Sequence, residues 1–253
     1  MCKNLRVHGS GTRVEHGSEI TTLTRTRPHP RGWYLPEAAH PYYVLASHAN
    51  IDFASLKGPH PPVDPESVTA YATDEECTKF LADETVKSKF ATAKKLSEVS
   101  AKDYDMIFYD GGYAPVIDLP TDPDNINLKL ATEATLQLYR SGKLVSAVCH
   151  GPTSALVGVT DVEGKNIFAG RPCTAFSNAE EVVQGKEKTI PFLPEDKLVS
   201  IRGVYSKAAE LWASYVVVDG LLITGQNPGS AQATGEAILK VRNFTARNIR
   251  CSW

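Results

Sequence analysis

The stretch Lys143-Leu-Val-Ser-Ala-Val-Cys-His-Gly-Pro-Thr-Ser154 decides how this chain is read. Leu144 to Val148 is a short apolar, β-branched run, the pattern of a strand buried on both faces of a parallel sheet. Cys149 and His150 follow at once, then Gly151, which tolerates a sharp turn, and Pro152, which suits the start of a helix. A thiol is therefore expected where a buried strand turns into a helix, the geometry of a nucleophile elbow. Unpaired N–H groups at the helix start, with the positive end of its dipole, would favour a thiolate and could hold an oxyanion. A plain buried cysteine is the ordinary alternative, but the strand–Cys–His–Gly–Pro order favours a reactive one.

Upstream, Asn127 to Arg140 carries apolar residues at Leu128, Ala131, Ala134, Thr135 and Leu138, which predicts a helix stopped by Ser141-Gly142. Before it, Tyr104 to Tyr109 reads as a strand ending in Asp110-Gly-Gly112, so one βαβ unit with a right-handed crossover is complete. A double glycine lets backbone approach a ligand closely, making Gly111 and Gly112 candidate oxyanion donors; a simple tight turn is the alternative. Residues 74–100 look helical and charged. Ile51 to Ser55 predicts another strand, and the Pro-rich loop 58–65 a rim or lid. Pro36 suits a helix start and puts Glu37 in the first turn, where a carboxylate complements the dipole whatever else it does.

Downstream, Ile167 to Phe176 holds a short apolar segment, and Glu180 and Glu181 open a helix, again a place where dipole compensation alone would explain them. Pro191 to Leu198 predicts a capped helix. Val216–Val218, an Asp219-Gly220 turn and Leu221–Thr224 predict a hairpin, followed by a last helix through residue 240. Three parts result: an atypical segment 1–31, whose one strand-like piece, Glu19–Thr24, is too polar for a central strand; a domain over 32–240; and a tail, 241–253, without pattern, frayed or facing an oligomer partner.

With 253 residues, 42% of them hydrophobic, the chain suits one large α/β domain or two small ones. A net charge of −2 without Lys/Arg blocks argues against nucleic acid as a partner. No apolar run approaches the roughly 18 residues that span a bilayer, and the N-terminus has no apolar signal core. The 5 cysteines lack Cys-x-x-Cys spacing, which argues against a zinc site or disulfide framework and for a reducing compartment.

Ala147-Val-Cys-His-Gly-Pro152 resembles the nucleophile motif of the ThiJ/PfpI superfamily, the class I glutamine-amidotransferase-like proteins. Gly32-Trp-Tyr-Leu-Pro-Glu-Ala-Ala-His-Pro-Tyr-Tyr43, Ile51–Ser55, Asp64-Pro-Glu-Ser67, Thr174–Glu181 and Asp219–Pro228 are similar to its glyoxalase III/heat-shock chaperone branch. The resemblance implies a Rossmann-like (flavodoxin-like) three-layer α/β sandwich with a mostly parallel central sheet and a cysteine nucleophile elbow. It implies Cys149 as nucleophile, Glu37 reaching the thiol, and Glu181 orienting His150, with the adjacent Glu180 open as a substitute. Gly112 and His150 would donate N–H groups to an oxyanion.

Where the family has Gly-Gly-His-Gly followed by an aspartate, this chain has Gly-Gly-Tyr-Ala with Asp118 beyond, so Tyr113 stands at the lip of the site. The family also opens on a hydrophobic strand that residues 1–31 do not supply. The implied activity is conversion of a 2-oxoaldehyde such as methylglyoxal to D-lactate through a Cys149 hemithioacetal. Glu37 and His150 would move the proton, and no cofactor or metal is called for. A stress-response holdase chaperone, a catalytically impaired paralogue and a cysteine peptidase or amidase are the alternatives. The implied partners are a small reactive carbonyl and, compatibly, a second copy in a homodimer, with neither nucleic acid nor membrane; the implied compartment is the cytoplasm, the nucleus left open.

Overall fold

Leu144–Val148 forms a strand in which all five residues are buried, and the rest of the sheet is assembled on its two sides. The computed structural model describes residues 32–116, 139–243 and 249–252, apart from Leu56, Ala101 and Val162. The expectations for residues 1–31 and for a helix over 127–138 lie outside these residues. In chain order the strands are β1 (Ala49–Asp52), β2 (Ala54–Ser55), β3 (Lys94–Lys95), β4 (Met106–Tyr109), β5 (Leu144–Val148), β6 (Pro172–Cys173), β7 (Val204–Tyr205), β8 (Val216–Asp219), β9 (Leu222–Gly225) and β10 (Ile249–Ser252). The main sheet runs β1-β10-β4-β5-β9-β8, parallel except for the β8–β9 hairpin at one edge.

Side-chain alternation explains why β5 reads as a continuous apolar run. Leu144 and Val148 join Met106 and Phe108 in one core, with Leu35, Leu45 and Phe80 from the covering helices. Val145 and Ala147 join Ile107 in the other, with Leu156, Phe168 and Leu198. Both faces are covered, and each fully buried Leu, Val or Ile contributes about 1.5–3 kcal/mol. The fold is a three-layer α/β sandwich of the flavodoxin-like kind.

The helix Leu35–Ala46 begins without a capping side chain at Tyr34; the Ser67 hydroxyl accepts the Leu35 N–H instead, at 3.1 Å. That contact explains why Asp64-Pro-Glu-Ser67 belongs with the site although it is remote in sequence: it seats the helix that carries Glu37. Two short helices, Glu75–Ala82 and Glu84–Ala91, fill the charged region, each capped by an aspartate, Asp74 and Asp83.

Several expectations shift. The strand at 51–55 is split into β1 and β2, and the expected hairpin of Val216–Val218 and Leu221–Thr224 forms with β8 extended to Asp219 and β9 spanning Leu222–Gly225, so the turn is Gly220-Leu221 rather than Asp219-Gly220. The larger correction concerns the tail. Helix Ala231–Asn243 runs past residue 240, and Ile249–Ser252 is no frayed end: it pairs in parallel with β1 on one side and β4 on the other, next but one to the elbow strand. Two neighbours must be in place before that slot exists, which is why no local pattern announced it.

Candidate active site

Cys149 follows β5 directly and sits in the left-handed region at φ 60°, rare for a residue with a side chain. Such a conformation costs on the order of 1 kcal/mol or more and persists only where neighbours impose it. Here the Cys149 N–H donates to the Gly225 carbonyl at the end of β9 (2.9 Å), and its own carbonyl accepts the Phe176 N–H (3.0 Å). The helix Gly151–Ala155 then starts with Pro152 in its first turn.

The thiol lies 3.1 Å from His150 Nδ1, and His150 Nε2 lies 2.9 Å from Glu181 Oε2. The other oxygen of Glu181 accepts the Tyr113 hydroxyl at 2.7 Å. The imidazole lies between two rings, Phe176 stacked on it at 4.7 Å and Tyr113 tilted by 51° at 4.8 Å between centroids. Thiol, imidazole and carboxylate are thus connected in series through the two nitrogens of one histidine. Tyr113, where the sequence departs from the resembling pattern, grips the carboxylate from the far side.

Glu180 does something else. Its carboxylate accepts from Ser177 N–H and Oγ–H, from the Trp212 N–H, and from the side-chain amides of Gln226 and Asn227. A buried anion needs such donors, and they anchor the helix Asn178–Gln184 to the end of β9. Successive helical residues point about 100° apart, so fixing Glu180 there turns Glu181 toward His150.

Glu37 enters from the first turn of its helix. Oε2 accepts the Gly111 N–H at 2.7 Å, while Oε1 has no hydrogen-bond partner among the described residues. Gly111 is required by space: a Cβ there would lie 2.5 Å from Glu37 Oε2 and 2.8 Å from Cys149 Cβ. This corrects one expectation. The Gly111 N–H is already committed to Glu37 and is not an oxyanion donor. Gly112 follows at φ 108°, where only glycine is at ease.

Burial is the main cause that holds the Glu37 carboxyl well above the usual carboxylate range; Asp110 adds to it, and the Cys149 thiol and Gly111 N–H offset part. Burial likewise pushes the Cys149 thiol well up, followed by the charge of Glu37. The expected dipole-stabilised thiolate is therefore outweighed, because a helix of five residues supplies a weak field and two glutamates oppose it. Burial and the two glutamates thus favour the protonated thiol, which has His150 Nδ1 at 3.1 Å and Glu37 as its neighbours.

Two further residues belong to the site. Tyr34 and Tyr71 pack edge to face at 6.1 Å, and burial together with the nearby Glu37 and Cys149 raises both phenols, Tyr71 to about 12. Tyr34 stood inside the quoted motif around Glu37, so its signal was available; nothing local marked Tyr71. Trp33 pairs with Val63 and exchanges backbone hydrogen bonds with the Pro-rich loop, which therefore flanks the approach to Glu37. Cys149 as a whole is only 3% exposed. Among the described residues, the side chains that converge closely enough to hold a metal ion, His40, Asp74 and Cys77, lie outside this site.

The model of the DJ-1/PfpI family matches residues 36–241. The glutathione-independent glyoxalase HSP31 of Saccharomyces cerevisiae is 28% identical over 211 residues, 80% of this chain and 86% of that one. Glyoxalase 3 of Candida albicans is 29% identical over 221 residues, 82% and 88% of the two chains. Among solved structures, Rapid Encystment Protein 24 kDa of Francisella tularensis is similar at TM-score 0.75 and 37% identity, over 83% of this chain and 90% of that one. Glyoxalase III of C. albicans superposes at TM-score 0.75 and 25% identity, covering 84% and 89%.

Proposed function

The chain belongs to the DJ-1/PfpI family, and on that footing we propose that it is a glutathione-independent glyoxalase. It converts 2-oxoaldehydes, methylglyoxal among them, to 2-hydroxy acids, D-lactate in that case. The observation that carries this reading is the pairing of a buried thiol with a buried carboxyl whose second oxygen is uncommitted. The names of the relatives support it.

In the proposed reaction the Cys149 sulfur bonds to the aldehyde carbon while its proton passes by way of Glu37 to the carbonyl oxygen, giving a hemithioacetal. N–H groups of Gly112 and His150 would donate to the developing oxyanion. Glu37 Oε1 then takes the hydrogen of that carbon, the electron pair forms the enediol double bond as the hydroxyl proton passes to the neighbouring oxygen, and Glu37 returns its proton to the neighbouring carbon. The product of this shift is a thioester of the 2-hydroxy acid. Water cleaves it, with His150 as base and Glu181 and Tyr113 holding the imidazole, and the thiol regains its proton. The balance is one 2-oxoaldehyde plus one water to one 2-hydroxy acid. The enzyme's own thiol does what a glutathione thiol would otherwise do, so the scheme calls on no cofactor.

The enclosed thiol favours a substrate of a few atoms over a peptide. The test is loss of methylglyoxal by the purified protein without glutathione, beside Cys149→Ala and Glu37→Gln. Turnover that vanishes in Cys149→Ala and collapses in Glu37→Gln supports the scheme. A folded wild-type protein that leaves methylglyoxal untouched overturns it.

A further inference from the structure

We propose that His40, Asp74 and Cys77 form a binding site for one divalent cation of the zinc class, separate from the elbow. His40 comes from the helix Leu35–Ala46, Asp74 caps the helix Glu75–Ala82, and Cys77 lies in that helix's first turn. Their donor atoms lie within 4.8 Å of one another. His40 Nε2 is 3.1 Å from Asp74 Oδ2 and 3.8 Å from Cys77 Sγ. Zinc bonds of about 2.0–2.1 Å to nitrogen and oxygen and about 2.3 Å to sulfur place the donors of a tetrahedron roughly 3.3–3.6 Å apart. The two spacings from His40 Nε2 already stand close to that, and the third lies within 4.8 Å.

The manner of contact is the decisive point. A single imidazole nitrogen, Nε2, faces both the carboxylate and the thiol. An imidazole that uses one nitrogen for two partners cannot pass a proton from one to the other as His150 can. Three donors pointing at one place are instead what a metal ion requires. The other carboxylate oxygen, Oδ1, is fixed by the Cys77 N–H at 2.8 Å, which leaves Oδ2 directed at His40. Thiolate, imidazole and one carboxylate suit zinc better than magnesium or calcium, which take oxygen donors.

Access fits as well. Cys77 is fully buried, but the His40 and Asp74 side chains keep 16% and 29% exposure, so an ion can enter and retain a water as its fourth ligand. On binding, the thiol proton leaves to solvent and a sulfur–metal bond takes its place. The bound ion would join two helices, one of which carries Glu37 one turn before His40. None of this rests on the proposed reaction.

The experiment titrates metal-free full-length protein with Co²⁺ and follows the near-ultraviolet thiolate-to-cobalt absorption, then displaces Co²⁺ with Zn²⁺. One equivalent per chain is expected in the wild type and in Cys149→Ala, with the band absent from Cys77→Ala and weakened at least about tenfold in affinity in His40→Asn and Asp74→Asn. Zn²⁺ should raise the melting temperature of the wild type and leave that of His40→Asn unchanged. If Cys77→Ala fails to fold, Asp74→Asn, which retains a capping side chain, carries the test. No band in folded wild type, a band that survives in Cys77→Ala, or saturation only at millimolar metal would overturn the proposal.

Discussion

The protein holds two sets of cysteine, histidine and carboxylate, and they are wired differently. At the elbow, His150 meets the thiol with Nδ1 and Glu181 with Nε2, at 3.1 and 2.9 Å. Beside the helix Leu35–Ala46, His40 meets both Asp74 and Cys77 with Nε2, at 3.1 and 3.8 Å. The first arrangement is a relay, the second a convergence. Backbone context differs too: Cys149 is held at positive φ at the end of a parallel strand, Cys77 in an ordinary helical turn. Residue type alone does not separate a nucleophile from a ligand; the order of contacts does.

The strongest way to break this contrast is to exchange the thiols. Cys149→Ala should lower methylglyoxal turnover by roughly 10⁴-fold or more, while Cys77→Ala, if folded, should stay within about threefold of wild type. Equal losses in steady-state assays of both would erase the distinction.

Glu37→Gln should cost roughly 10²–10⁴ in kcat/KM. It should also stabilise the fold by about 0.5–2 kcal/mol, because it removes a carboxyl confined to an apolar place. A carboxyl held above its ordinary range binds more protons folded than unfolded. Its contribution to stability therefore falls as pH rises from about 4.3 through the folded value. The advantage of Glu37→Gln in melting temperature should accordingly grow with pH. In wild type, kcat/KM should decline toward acid with a midpoint above the ordinary carboxylate range, since protonating Glu37 removes the base that takes the carbon-bound hydrogen. A limb at an ordinary carboxylate pKa would remove Glu37 as the base.

Glu181→Gln should lose roughly 10- to 100-fold. The amide cannot accept from both His150 and Tyr113, so either the imidazole takes the wrong tautomer or the tyrosine loses its partner. A Tyr113→Phe variant with a smaller loss along the same pH profile would sharpen the case for a positioning role. His40→Asn is the smallest of the set: about 1 kcal/mol or less in denaturant unfolding for the lost His40–Asp74 contact, with turnover unchanged.

Much of the site was legible because its signals are local. The apolar run into Cys149, the Gly-Pro that follows and the double glycine after Tyr109 are each statements about a few adjacent residues. Glu180 and Glu181 could not be separated in the same way, because the five donors that claim Glu180 come from Ser177, Trp212, Gln226 and Asn227. Gly111 was placed at the site but in the wrong role, since which acceptor its N–H meets depends on a helix 74 residues away in sequence.

By itself, then, the sequence determined the elbow, the alternating core of β4 and β5, and the composition of the site around Cys149. Tertiary structure alone decided that Ile249–Ser252 lies between β1 and β4, that Glu181 rather than Glu180 meets His150, and that His40, Asp74 and Cys77 share one point. Strand, turn and helix preferences act over a few bonds. Convergence of side chains from separate elements exists only once those elements have packed.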